Sequence, residues 1–138
     1  MIFRSPYPDV TVPAVGLPEF LFGELAGEDA ERVAAVDAVT GESCRYGELV
    51  GGVGRMAAAL GARGVGRGDV VALFAPNCAA YPLAFHGILS AGAAASPVNA
   101  LYTPADVAHQ LRDAGARILF SSPCGLERAR AALGEPGV

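Results

Sequence analysis

The stretch VVALFAPNCAAYPLAFHGILSAGAAASPVNALYTPA, residues 70–105, contains no Asp, Glu, Lys or Arg. An unbroken apolar run of about 18 residues or more reads as a membrane helix. This one is broken at Pro76-Asn77, at Pro82 and at Ser96-Pro97. It divides into a β-rich piece (Val70 to Ala75), a helical piece (about Ala79 to Ala91) and a second short extended piece (Ala93 to Val98). That is the pattern of strand, helix and strand buried inside an α/β domain. Pro and Asn lie where a spanning helix could not keep its hydrogen bonds, so no membrane span is expected.

The sequence on either side repeats the alternation. Upstream, Leu49, Val53, Met56, Ala57 and Leu60 follow the spacing of one helix face. That helix is expected to end near Gly64, with Gly66-Arg67-Gly68-Asp69 turning into the first strand. Downstream, Thr103 can cap a helix, Pro104 suits its first position, and Asp106 places a carboxylate at the third. Val107, Leu111 and Ala114 are expected inward, with His109, Gln110 and Arg112 toward solvent. Gly115 is expected to end this helix, Arg117 to Ser121 to form the next strand, and Leu126 to Leu133 a last helix with Arg128 and Arg130 outward. The order implies a partial doubly wound parallel sheet with flanking helices. Val33 to Val39 and Ser43 to Tyr46, around Thr40-Gly41-Glu42, read as a β-hairpin before it. Residues 1–18 read as irregular, and Phe20 to Leu25 as the start of a short helix.

Composition narrows the function. The chain is 52% hydrophobic and 17% charged, which fits a globular chain rather than a disordered one. Its formal charge of −4 offers no basic field for nucleic acid. The opening Met1-Ile2-Phe3-Arg4 has no apolar signal region, which favours a cytoplasmic protein. Cys44, Cys78 and Cys124 lie far apart without metal spacing and read as buried free thiols. All ten basic residues are Arg, so a reaction that needs lysine cannot be completed on these residues alone.

Several segments carry possible chemistry. Gly52-Val53-Gly54-Arg55-Met56-Ala57 matches a dinucleotide fingerprint, but no strand precedes it and no acidic residue follows about 20 positions on. Close helix packing is the preferred reading, and a free-standing nucleotide-binding module the alternative. Gly87-Ile88-Leu89-Ser90-Ala91-Gly92 has one residue too many before Ser90 for a nucleophile elbow. His86 reads as a hydrogen-bonded core residue and His109 as a solvent-facing one, neither with an acidic partner in sequence. Glu24, Glu28, Asp29 and Glu31 read as a solvated surface, and Asp69 as shaping its turn. No catalytic, cofactor-binding or metal-binding residue is assigned.

Taken in order, Gly66-Arg67-Gly68-Asp69-Val70-Val71, Pro76-Asn77, Ala91-Gly92-Ala93, Pro97-Val98-Asn99, Tyr102-Thr103-Pro104-Ala105-Asp106 and Gln110-Leu111 resemble the N-terminal part of adenylate-forming acyl-CoA ligases. Ile2-Phe3-Arg4-Ser5 with Pro8-Asp9-Val10 is similar to the opening of 4-coumarate:CoA ligases. Ala100 replaces a Pro common in that family, Asp106 a Glu, and Arg45 a Ser or Thr; the last change removes an expected helix cap worth about 1 kcal/mol. The resemblance implies that residues 1–138 are an incomplete segment of the large N-terminal AMP-binding (adenylation) domain, without the phosphate loop and the C-terminal domain. It implies a ligase that joins a 4-coumarate-like aromatic acid, or a fatty acid, to CoA using ATP and Mg2+. The segment alone is expected to be inactive and to bind none of these tightly. A non-enzymatic, truncated interaction protein is a second alternative.

Stability arguments point the same way. Burying one Val, Leu or Phe side chain is worth about 1.5–3 kcal/mol. If Val70, Val71, Leu73 and Phe74 lost one covering face, the deficit would approach a small domain's whole stability of about 5–15 kcal/mol. Exposed apolar surface is therefore expected, covered by the rest of a ligase chain or by self-association.

Overall fold

A computed structural model describes residues 5–138. Met1 to Arg4, and with them Ile2, Phe3 and Arg4 of the opening similarity and the signal-region reading, lie outside the described residues. Five strands, five α-helices and two short 3-10 helices (Gly27–Glu31 and Pro123–Gly125) are present among those described. Helix α1 is Leu17–Phe22, the hairpin is β1 (Val33–Val36) and β2 (Ser43–Arg45), and α2 is Tyr46–Gly61. Then come β3 (Val70–Phe74), α3 (Ala80–Ser90), β4 (Ala94–Val98), α4 (Pro104–Ala114), β5 (Ala116–Ser121) and α5 (Leu126–Leu133). The hairpin strands are antiparallel. The main sheet has the order β4-β3-β5, with both pairings parallel. This is the expected mixed α/β arrangement, and no described helix is long and apolar enough to cross a membrane.

β3 owes its central place to being apolar at every position. Val71 packs with Leu60, Val65, Ile88 and Ala93 on the α2–α3 side. Ala72 and Phe74 pack with Val98, Val107, Ala108, Leu111, Ala129 and Ala132 on the α4–α5 side. Consecutive side chains of a strand point to opposite faces, so a strand covered on both sides has no polar position.

The turn into β3 is built by Asp69. One of its carboxylate oxygens accepts from the Gly66 N–H at 2.8 Å and from the Arg117 guanidinium at 3.1 Å. Arg117 also donates to the Gly64 carbonyl at 2.7 Å. These bonds, the Gly66 N–H first, hold the Asp69 carboxyl below its ordinary pKa. Gly64 and Gly68, both before Asp69, adopt positive φ (71° and 95°) in this turn.

Helix ends show where sequence signals were and were not sufficient. At α4, the Thr103 hydroxyl accepts from the Asp106 N–H, and the Asp106 carboxylate accepts from the Thr103 N–H at 3.1 Å. Gly115 closes that helix at φ 61°. At α2, the Arg45 guanidinium can only donate and so cannot cap. The Glu48 carboxylate still accepts from the Arg45 N–H at 2.8 Å, which starts the helix at Tyr46. α1 runs earlier than expected, because Pro18 fits its first turn and Gly23 closes it. The strands of the hairpin are shorter than expected, because Asp37 accepts from the Val39 and Thr40 N–H groups and turns the chain there.

Other side chains also depart from expectation. No cysteine is buried: Cys44 and Cys78 are half-buried and Cys124 is exposed. Helix α3 buries only Gly87 and Ile88 fully; Tyr81, Leu83, Ala84, Phe85 and Leu89 are half-buried. Phe20, Leu21 and Val36 are exposed on α1 and β1, but Val71, Leu73 and Phe74 of β3, on which the stability argument rested, are buried.

Helices α2 and α3 meet through glycines. A Cβ on Gly52 would overlap Leu83, and one on Gly87 would come within 2.6 Å of Met56 Cβ. Gly54 is exposed with nothing near it. Gly87→Ala should therefore destabilise by about 1–3 kcal/mol through overpacking. Gly54→Ala should stabilise by about 0.5–1 kcal/mol through helix propensity. Urea unfolding midpoints of the two variants check this.

Candidate functional site

In parallel α/β sheets the carboxyl ends of the strands face a common side, and ligands bind in the crevice there. In this chain the ends of β3 and β4 open onto a crevice of about 340 Å3. Its walls are Ala75, Pro76 and Asn77 after β3, Pro97 to Ala100 at the end of β4, and Tyr81 on α3. Tyr81 is the one titratable side chain lining it, and burial raises its phenol pKa. A phenol held protonated can donate a hydrogen bond but is no general base at neutral pH. The crevice can therefore bind and orient a ligand through amides, a hydroxyl and apolar surface.

The wall formed by the end of β4 and the connection after it is held by several bonds. The Asn99 side chain accepts from the Leu101 N–H at 3.0 Å, and the Asn99 carbonyl from the Tyr102 N–H at 3.0 Å. Gln110 is not turned to solvent as expected: its amide donates to the Ser96 hydroxyl at 3.1 Å and the Pro97 carbonyl at 2.9 Å. Arg128 is not outward either. Its guanidinium donates to the Ala100 carbonyl at 2.7 Å and the Tyr102 carbonyl at 3.1 Å, and lies 5.2 Å from the Phe74 ring centroid. Helical spacing alone placed both residues on the polar face. Their long side chains reach back to carbonyls that only the parallel topology brings near.

The remaining candidates lie apart from this crevice. Gly52 and Gly54 sit inside α2, without the strand-to-helix turn that a pyrophosphate site needs, which removes the dinucleotide reading. Ser90 is exposed at the end of α3, away from any strand-to-helix turn. His109 is exposed, as expected. Asp29 pairs with Arg32 at 3.0 Å, and Arg45 reaches the Glu31 carbonyl, so the acidic group is a surface network. Among the described residues no three His, Cys, Asp or Glu side chains gather to fit a metal ion.

His86 corrects an expectation. Its Nδ1 is buried and has no hydrogen-bond partner among the described residues. Its ring packs edge-on against Phe22 at 5.0 Å and Phe85 at 5.3 Å. Aromatic contact rather than hydrogen bonding holds it, and burial lowers its pKa.

A layered parallel α/β unit with a binding crevice at its strand ends is the class that this geometry defines. Comparison with known proteins gives the family: a model described as AMP-binding enzyme matches residues 22–137. The chain belongs to the AMP-binding enzyme family. It is 37% identical over 139 residues to 4-coumarate--CoA ligase 3 of Oryza sativa subsp. japonica, covering 100% of this chain and 25% of that protein. It is 37% identical to 4-coumarate--CoA ligase-like 1 of Arabidopsis thaliana, covering 98% and 25%. A solved benzoate CoA ligase from Burkholderia xenovorans LB400 superposes with a TM-score of 0.81 at 33% identity, covering 89% of this chain and 24% of that one. The chain thus spans about a quarter of the length of these relatives.

A pH dependence follows from His86. Its folded pKa lies below the ordinary 6.5, so the unfolded chain takes up the proton first as pH falls. Stability should be flat with respect to this group above pH 6.5 and fall as pH drops below it. His86→Phe keeps an aromatic ring between Phe22 and Phe85 and should flatten that slope. Urea midpoints measured between pH 7.5 and 5 test it.

Proposed function

We propose that these residues are the N-terminal segment of the adenylation domain of an ATP-dependent, AMP-forming carboxylate–CoA ligase acting on an aromatic acid. The similarity to 4-coumarate--CoA ligases along the whole chain is the observation that carries this reading. The solved structures it resembles include both a benzoate CoA ligase and a fatty acyl CoA synthetase, so the aromatic reading rests on the 4-coumarate--CoA ligase relatives.

In such a reaction a carboxylate oxygen attacks the α-phosphorus of ATP and pyrophosphate leaves. The thiol sulfur of CoA then attacks the acyl carbon and AMP leaves. Charge accumulates on phosphate oxygens and needs cationic partners. Arginine is the only basic side chain of the chain besides two histidines, and no carboxylate lines the crevice to hold a Mg2+ ion. No step is therefore assigned to a metal or to a lysine of this segment. The part of these residues is to supply a braced wall of the domain, with the crevice between Asn77, Tyr81 and Asn99 available to orient a ligand.

Carboxylate-dependent exchange of labelled pyrophosphate into ATP tests the reading. A polypeptide that carries this segment within a ligase-length chain should catalyse exchange with 4-coumarate or benzoate, and far less with a long-chain fatty acid. The 138 residues alone should give no exchange above background. Exchange with none of these acids in the long polypeptide, or exchange by the short chain, overturns it.

A further inference from the structure

The two edges of the main sheet are built differently. β4 ends the sheet on one side and β5 on the other. An open edge offers unpaired N–H and C=O groups to another strand, and proteins blunt such edges with proline, bulges or charge. The β4 edge is blunted. Pro97 has no N–H to offer, and the Gln110 amide occupies the Pro97 carbonyl at 2.9 Å and the Ser96 hydroxyl at 3.1 Å. The β5 edge is not. Its one irregularity falls at Arg117, near its start, and that side chain is turned back onto Asp69 and the Gly64 carbonyl. Ile118, Leu119, Phe120 and Ser121 follow with no charge and no proline, all half-buried.

The hydrogen bonds show which backbone groups face out. The Ser122 N–H donates to the Phe74 carbonyl at 3.2 Å, toward β3. Backbone groups alternate sides along a strand, so those of Phe120 also point to β3, and those of Leu119 and Ser121 point to the open edge. Beside that edge lies an apolar cleft of about 310 Å3, between Met56, Ala59 and Leu60 on α2 and Ile118 and Phe120 on β5.

We propose that β5 pairs with β5 of a second copy of this chain, antiparallel about a two-fold axis at Phe120. This register uses the groups that face out: Leu119 of each copy exchanges N–H and C=O bonds with Ser121 of the other. It sets the two Phe120 rings opposite one another at the mouth of the cleft, a cross-strand pairing in which aromatic residues stabilise a sheet. Charge selects it as well. Arg117 lies outside the paired residues, whereas a register centred at the start of β5 would oppose two guanidiniums. A two-fold contact closes on itself, and the blunted β4 edges leave the joined sheet no route to grow further. A few backbone bonds and one ring pair make a small contact, so the association is weak and concentration-dependent. The proposal concerns the chain of 138 residues and does not rest on the ligase reading. In a longer polypeptide a following strand would compete for the edge. α5 packs in the same cluster as α4, and a right-handed crossover from that face returns beside β5.

Sedimentation equilibrium and amide hydrogen exchange of the 138-residue chain, from roughly micromolar to millimolar concentration, test this. The chain should pass from monomer to dimer and stop there. Protection at Leu119 and Ser121 should rise about tenfold or more with concentration, while Val71 and Leu73 stay protected throughout. Phe120→Lys opposes two ammonium groups across the axis, and Phe120→Glu two carboxylates. Each alone should raise the dissociation constant about tenfold or more, and the two mixed should form a dimer again. Phe20→Lys, on α1, should leave association unchanged. Ser121→Pro removes an outward N–H without touching the bonds to β3 and should abolish the dimer. It decides the matter if the Phe120 variants lose protection in β3.

A monomer at every concentration, growth beyond a dimer, or a dimer whose Leu119 and Ser121 amides stay unprotected overturns the proposal. So does protection at those amides that ignores concentration, which would mean that a strand of the same chain holds the edge. Folded Phe120→Lys and Phe120→Glu variants that stay monomeric when mixed also overturn it. A wild-type chain with unprotected β3 amides has no edge to pair and overturns it too.

Discussion

The structure depends on one constraint: β3 must be shielded on both faces and both edges at once. Its five residues carry no polar side chain, so each open side would leave apolar surface in water. β4 and β5 take the edges, with Val70 opposite Ala94 on one side and Ala116 on the other. Helices α2 and α3 take one face, and α4 and α5 the other. The glycine contacts between α2 and α3 and the Asp69 turn follow from that demand. The first lets two helices share one face, and the second aims the chain into the strand.

The same arrangement makes the crevice. Parallel strands end on a common side, so three connections from separate parts of the chain converge there. Capping and bracing are concentrated at this end: Asn99 holds its own loop, Gln110 ties α4 to Pro97, and Arg128 joins the β4 connection to Phe74. Rigid support behind a binding wall reduces the ordering that a ligand must impose.

Much of the architecture was legible in the sequence. Thr103-Pro104-Ala105-Asp106 and Gly115 marked both ends of α4, because caps are local and each residue type serves one geometric need. The charge-free run gave β3, α3 and β4 nearly to the residue. The family was legible because motifs such as Pro76-Asn77 and Tyr102-Thr103-Pro104 mark turns that the fold requires. The crevice was not legible, since it is made of backbone and amides brought together from positions about 20 residues apart. Arg128 and Gln110 were misplaced for a related reason. A helical projection sorts residues by polarity, but a long polar side chain follows available acceptors, and carbonyls leave no trace in a sequence. His86 was misjudged because its partners, Phe22 and Phe85, offer ring faces and edges rather than acceptors.

The order of synthesis gives the β3 pairing a further meaning. β3 leaves the ribosome before either neighbour exists. Its partner residues follow 24 positions later in β4 (94 − 70) and 46 positions later in β5 (116 − 70). At translation rates of roughly 5–20 residues per second, the second edge stays unpaired for roughly 2–9 s. During that interval the nascent chain displays its most apolar strand with charges only at its entry, Arg67 and Asp69, and none within or after it to discourage pairing with another copy. The Arg117–Asp69 contact, made across the same gap, forms only when that interval closes.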